Sequence, residues 1–494
     1  MDAATGTSLG RGRFQVVGRL GEGGAGVVYE VRDRQSDSRL ALKTVRGARP
    51  EALASLKREF RAVQDITHPN LVRLDELFEE DGDWFFTMEL VDGTDWLTYV
   101  RGGAGTSPDV DRIRATLGQV VEALAALHTK GTVHRDVKPS NVLVSKAAHV
   151  KVLDFGIASG KHRMDDQSEG IVGTLAYMAP EQLLSEEATP AGDFYALGAM
   201  LYQALTGQLP YFDHEGHHAE AKLNGPATPV RKVVPNAPED LATLCDELLK
   251  VEPRERPGVE AILRVLGGAT VSLGDFAASR EEFVGRAREL DALWEAFHSA
   301  GDGAPVAVVL EGASGVGKSA LVNHFLEQVR GRALVLRGRC HEREYVPYKG
   351  IDAIVDDLAA YLGGGADEVL FSLSNSAIRL LPRLFPVLKR VPFFDRLPHG
   401  SIALAEGDAS ELRARIFGAF RELMRRVAEQ GPVVVTIDDV QWADGDSLAL
   451  LSDLLAPPDP PPLLLVCTRR VAEEEGATKP FTLPGDLRTF RLGG

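Results

Sequence analysis

The sequence predicts two successive folded units. A two-lobed α+β fold comes first, and an α/β fold with a mainly parallel sheet follows it. Three observations point there. Residues 14 to 45 alternate apolar and polar positions and carry β-branched residues and glycines, as twisted antiparallel strands do. After "MELVDG" (88 to 93), apolar residues at helical spacing dominate to about residue 266, as in "DRIRATLGQVVEALAALHTKG". Beyond residue 281 strands and helices alternate, which is the pattern of a parallel sheet covered by helices. A chain of 494 residues is long enough for two or three domains, each with its own core.

Taken in order, the β-rich lobe spans about residues 14–91 and includes a helix over 51–67, and the helical lobe spans 92–266. Residues 267–281, "GGATVSLGDFAASRE", are small and weakly periodic and read as a linker. In 282–494 the strands are "VAVVLEG", "ALVLRGRC", "PVVVTIDD" and "LLLVCTR", with long helices between the second and third. "PPDPPP" (457 to 462) is a stiff loop, and no short-period repeat occurs.

Composition narrows the function classes. An apolar fraction of 44% and a charged fraction of 26% suit a folded enzyme. The net charge of −16 repels a phosphate backbone, so nucleic acid is not expected as a partner. The 3 cysteines, Cys245, Cys340 and Cys467, lack metal-ligand spacing and are odd in number, which argues against a disulfide framework. No signal-peptide core and no long apolar run is present, so the expectation is a cytoplasmic protein without a membrane partner.

The glycines of "GEGGAGVV" (Gly21, Gly23, Gly26, then Val28) lead into a strand. A dinucleotide fold requires a helix there, so a β-hairpin folded over phosphates fits better. Lys43 in "LALK", Glu59 in "KREF", "HRDVKPSN" (134 to 141), "DFG" (154 to 156) and "APE" (179 to 181) come after it in order. Over 14–266 the chain resembles the eukaryotic-like, Hanks-type Ser/Thr protein kinases of bacteria. The resemblance implies the bilobal protein-kinase fold, with ATP and Mg²⁺ as cofactors. It also implies the residue roles. Asp136 would accept the substrate hydroxyl proton, with Lys138 beside the transferring phosphate. Lys43 would hold the α- and β-phosphates, oriented by Glu59. Asn141 and Asp154 would hold Mg²⁺, under the phosphate-covering Gly21–Gly26 loop. By the same resemblance, Glu89 to Val91 form the hinge behind Met88 and take adenine through the backbone. Glu181 is expected to pair with Arg256, and Asp193 to brace the catalytic loop. Arg135 needs an anionic partner, which a phosphate on Ser159, Ser168 or Thr174 can supply, and Asp165, Asp166 and Glu169 can partly replace it.

"GASGVGKS" (312 to 319) fits GxxxxGK[ST] and sits between a strand and a helix, as a phosphate cradle requires. Gly312 and Gly317 shape it, Lys318 is placed for the β- and γ-phosphates, and Ser319 with Asp438 for Mg²⁺. Asp439 stands where many hydrolases carry a water-positioning glutamate, and Thr468 and Arg470 lie toward the γ-phosphate. Through "FVGRARELDAL" and "IDDVQWAD" residues 282–494 resemble the AAA-type P-loop ATPase modules of STAND signalling proteins. The resemblance implies a nucleotide switch, in a module without its lid and downstream regions, as in a truncated product; Asp439, one methylene shorter than that glutamate, and the missing lid point to slow hydrolysis. The combined expectation is protein Ser/Thr phosphorylation, including autophosphorylation, with protein substrates and room for a homo-oligomer. The rival readings are a nucleotide-gated scaffold with little kinase activity and a transcriptional regulator. The intact Lys43, Asp136, Asn141 and Asp154 oppose the first, and the charge opposes the second.

Overall fold

The computed structural model describes residues 6–23, 26–45, 50–64, 66–80, 83–103, 106–154, 175–184, 188–211, 221–223, 225–267, 286–301, 303–395, 409–471 and 481–493. The chain divides near residue 278 into two compact units.

In the first unit, strands β1 (Ser8–Leu9), β2 (Phe14–Gly23), β3 (Gly26–Asp33), β4 (Arg39–Val45), β5 (Leu74–Glu80) and β6 (Asp83–Glu89) form an antiparallel sheet in the order β1-β2-β3-β4-β6-β5. Register sorts its residues by face. Val27, Tyr29, Val31, Leu42 and Phe85 join one buried cluster with Phe14 and Phe78. Side chains alternate along a strand, so Val28, Ala41, Lys43 and Met88 share the opposite face, with Val28 across from Lys43 and Ala41 across from Met88. That face is the one available to a ligand. Helix α1 (Pro50–Gln64) buries Leu56, Phe60 and Val63 at helical spacing.

The helical lobe is built on α2 (Trp96–Arg101), α3 (Val110–Thr129) and α4 (Pro190–Thr206). Asp109 caps α3 by accepting from the Arg112 amide at 3.0 Å. Helix α4 is buried nearly all round, which is why "FYALGAMLYQAL" is apolar without a polar face. Short strands β7 (Thr94–Asp95), β8 (Val142–Val144) and β9 (Val150–Val152) pair antiparallel and bracket the catalytic loop.

The second unit has a fully parallel sheet of β10 (Val306–Gly312), β11 (Leu334–Arg339), β12 (Val433–Asp438), β13 (Leu464–Arg470) and β14 (Asp486–Arg491), in the order β11-β12-β13-β10-β14. Helices Ala287–Gly301 and Lys318–Val329 pack against it through Leu293, Ala296, Leu321, Phe325 and Val329. Between β11 and β12 the long helices expected from sequence include the 20-residue Ala409–Ala428, while Asp352–Gly363 and Asn375–Leu384 are shorter pieces. The breaks coincide with Gly363 to Gly365, Pro386 and Pro392, residues that end helices through backbone freedom or a missing N–H. Among the described residues no helix is long and apolar enough to cross a membrane.

Candidate active site and second phosphate-binding site

The catalytic loop of the first unit is fixed by one buried carboxylate. Asp193 accepts from the His134 and Arg135 amides, each at 2.8 Å, and contacts His128 Nε2 at 2.8 Å. Those bonds hold Arg135 in the left-handed region, at φ 69°, a conformation that costs a non-glycine residue energy. His134, itself buried, reaches Leu153 O through Nε2 at 2.8 Å, tying the loop to the strand end before Asp154.

On that frame three polar side chains converge. Lys138 Nζ donates to both Asp136 oxygens, at 3.1 and 2.9 Å. Asn141 Nδ2 donates to Asp136 Oδ2 at 3.0 Å and to its backbone carbonyl at 2.8 Å. Asp154 also adopts a left-handed backbone, φ 53°, and its Oδ1 accepts from Lys43 Nζ at 2.6 Å. Lys43 is buried on the ligand-facing side of the sheet. Glu59 is placed differently from the expectation: its Oε1 accepts from Arg135 at 3.2 Å. The reason is reach, since the loop presents the Arg135 guanidinium to α1.

The donor set suits ATP and Mg²⁺. Asp154 and Asn141 supply hard oxygen ligands beside two lysines. A Cβ on Gly21 would meet nothing within 4 Å, so room is left above the strand. A Cβ on Gly26 would lie 1.7 Å from Thr44 O, so the hairpin itself demands that glycine. Gly23 ends β2 opposite Gly26. At the hinge, the Glu89 amide donates to Arg73 O at 3.0 Å and its carboxylate accepts from Lys151 at 2.6 Å. That anchors the strand end leading to half-buried Val91. Below, Glu181 and Arg256 form a buried two-bond ion pair at 2.5 and 2.8 Å. Ser159, Ser168, Thr174, Asp165, Asp166 and Glu169 lie outside the described residues.

In the second unit the loop after β10 turns through Gly315 (φ 82°) and Gly317 (φ 89°), the latter at the start of the next helix. Gly312 is required by packing, since a Cβ there would meet Leu492 O at 2.7 Å. Lys318 Nζ donates to Gly312 O at 2.9 Å and Ala313 O at 2.7 Å. Burial lowers its pKa, against the opposing fields of Asp439 and Asp438. Ser319 Oγ donates to Asp438 at 3.1 Å, so a hydroxyl and a carboxylate already meet where Mg²⁺ would be held. Thr468 Oγ1 donates to Asp438 Oδ1 and accepts from the Asp439 amide at 2.9 Å.

Arg470 lies close enough to Lys318 for its field to lower the Lys318 pKa, and it is bound to Asp439. Its Nε and terminal nitrogen donate to Asp439 Oδ1 and Oδ2 at 2.8 and 2.9 Å, and Gln441 donates to Oδ1 at 2.8 Å. Burial would raise the Asp439 pKa, but these hydrogen bonds and the fields of Arg470 and Arg339 hold it below the ordinary value.

The profile for the protein kinase domain matches residues 14–265. The chain belongs to the protein kinase domain family. A second profile, for an AAA ATPase domain, matches residues 282–466. The kinase half is similar to the serine/threonine-protein kinase Pkn1 of Myxococcus xanthus, with 37% identity over 256 residues, 50% of this chain and 36% of that one. It is also similar to the serine/threonine-protein kinase PrkC of Bacillus subtilis, with 33% identity over 204 residues, 40% of this chain and 31% of that one. The chain thus spans about a third of the length of these curated relatives. The crystal structure of the Mycobacterium tuberculosis PknI kinase domain is similar at 23% identity and a TM-score of 0.43, covering 54% of this chain and 99% of that one.

Within the kinase domain, sequence reasoning missed His128, His134 and Lys222. Each is a buried or half-buried polar residue whose partner is a backbone atom or a carboxylate far along the chain. The signal for His134 lay in "HRD" itself, and for His128 a polar residue closing the apolar run "ALAAL" was the available hint; "AEAKLNG" carried none for Lys222.

Proposed function

We propose that this protein is a bacterial serine/threonine kinase that transfers phosphate from ATP to protein hydroxyls, its own included, and that its second ATP-binding domain works as a regulatory switch. The observation that supports the first part is the convergence of Lys138 and Asn141 on Asp136, with Lys43 on Asp154 beside them. Asp136 is the proton acceptor, and its two hydrogen-bond donors fix the carboxylate so that a lone pair faces the acceptor hydroxyl. Lys43 and Lys138 place positive charge where a loose phosphoryl-transfer transition state carries negative charge. Mg²⁺, held by Asn141 and Asp154, would supply further charge neutralisation there. The buried thiols of Cys245, Cys340 and Cys467, which form no disulfide, and the use of ATP support a cytoplasmic setting.

For the second domain, the support is Asp439. The carboxylate that would orient water is committed to Arg470 and Gln441, an arrangement suited to holding nucleotide and hydrolysing it slowly. The test is incubation of the purified protein with γ-labelled ATP, with phosphosite mapping. Label on serine and threonine is expected. Label mainly on tyrosine, or none on protein, overturns the reading.

A further inference from the structure

Lys222, in the helical residues 221–223, is fully buried. Its ammonium donates to three backbone targets, Leu175 O at 2.7 Å, Ala176 O at 2.8 Å and Met178 O at 2.8 Å. An ammonium has three N–H groups, so each is used. Among the described residues no carboxylate pairs with it. Its other neighbour is the Tyr195 ring, 5.4 Å from Nζ, which also carries Arg256 at 5.0 Å, and Arg256 is bound to Glu181. Burial pulls the Lys222 pKa down to about 7, a measure of what this placement costs. Buried cations paired only with carbonyls are expensive, so the carbonyls they hold are worth tracing.

Of those three residues, Met178 adjoins the catalytic loop. Tyr177 and Met178 line one cavity together with Arg135, Asp136 and Val137. Tyr177 is further held through its hydroxyl, which donates to Gln203, and Ala179 N donates to Gln182 Oε1 at 3.0 Å. Side-chain bonds therefore fix the far side of this segment, and Lys222 fixes its backbone.

We infer that Lys222 is a positioning residue for the protein acceptor, pinning residues 175–178 as the surface beside Asp136 on which the acceptor chain is held. The inference rests on the kinase reading above and adds the residue that sets the acceptor surface. The contacts of Lys222, to three carbonyls and the Tyr195 ring, include none of Lys43, Asp136, Lys138, Asn141 and Asp154. Lys43 and the glycine loop lie on the other lobe, so nucleotide binding is independent of the pin.

The test compares wild type with Lys222→Met, which keeps the length and removes every N–H, and with Lys222→Arg, which restores cationic donors. With dephosphorylated casein as acceptor, Lys222→Met should raise KM for casein about tenfold or more, leave KM for ATP within about twofold, and Lys222→Arg should recover part of the loss. Amide hydrogen exchange of residues 175–178 should quicken in Lys222→Met at an unchanged melting temperature. Equal KM values for casein, a matching rise in KM for ATP, or unaltered exchange at 175–178 would each overturn the pin. A wild type that labels no protein at all overturns the kinase reading, whereas normal wild-type transfer with an indifferent Lys222→Met overturns this inference alone.

Discussion

The Glu59 carboxylate accepts a hydrogen bond from Arg135 at 3.2 Å, while Lys43 is committed to Asp154 at 2.6 Å. The kinase family assigns Glu59 to Lys43, so two cations compete for one acid. Arg135 is 45% exposed at its side chain, and a pair this wet contributes at most about 1 kcal/mol. A phosphate near Arg135 carries nearly two charges and three acceptors and would displace Glu59. Arg135→Gln should therefore raise the initial rate of phosphatase-treated protein a few-fold and abolish the further rise on autophosphorylation. A lower initial rate would mean that Arg135 serves catalysis and not restraint.

Asp136→Asn should lower the transfer rate about a hundredfold or more, because it removes the proposed proton acceptor. Nucleotide affinity should stay within about twofold, since Asp136 contacts Lys138 and Asn141 and not the glycine loop. Titration with a fluorescent ATP analogue alongside the rate assay checks both halves.

At the second site, Lys318→Ala should abolish nucleotide binding there, read in the Asp136→Asn background where transfer is silent. Arg470→Ala releases Asp439 from its two-bond partner and should raise the proposed slow hydrolysis several-fold. A fall instead would show that Arg470 serves the γ-phosphate, as its position in "CTRR" suggests. If the domains are coupled, Lys318→Ala also changes the kinase rate, and a coupling of about 1–3 kcal/mol is typical.

The β-rich lobe carries a pH-dependent element. A hydrogen bond from Arg13 holds the Asp33 carboxyl down to about 2, although burial opposes this. A depressed folded pKa means stability that is present above the usual carboxylate value and lost as pH falls through about 2. Asp33→Asn should cost about 2 kcal/mol at pH 7, and the gap should narrow by pH 3. Glu76 shares Arg13 but is pushed up by burial, so its contribution has the opposite sign. Urea unfolding of both proteins at the two pH values measures the difference.

Sequence and structure divide the information along physical lines. Asp136, Lys138 and Asn141 fall within one short loop, and Lys318 and Ser319 open one helix. Their neighbourhood is local, set by backbone geometry over a few residues, and the sequence alone carried it. The same holds for the sheets, whose period-2 and strand-helix patterns were legible, and for Gly317, whose positive φ belongs to a tight turn. Partner choice among long charged side chains was not legible. Glu59 meets Arg135, Arg470 meets Asp439, and Lys222 meets three carbonyls more than 40 residues back in the chain. Several pairings of opposite charge have similar Coulomb energies at hydrogen-bond distance. Which one forms depends on where packed helices and strands leave each side chain and how much water remains, and only the tertiary structure decides that.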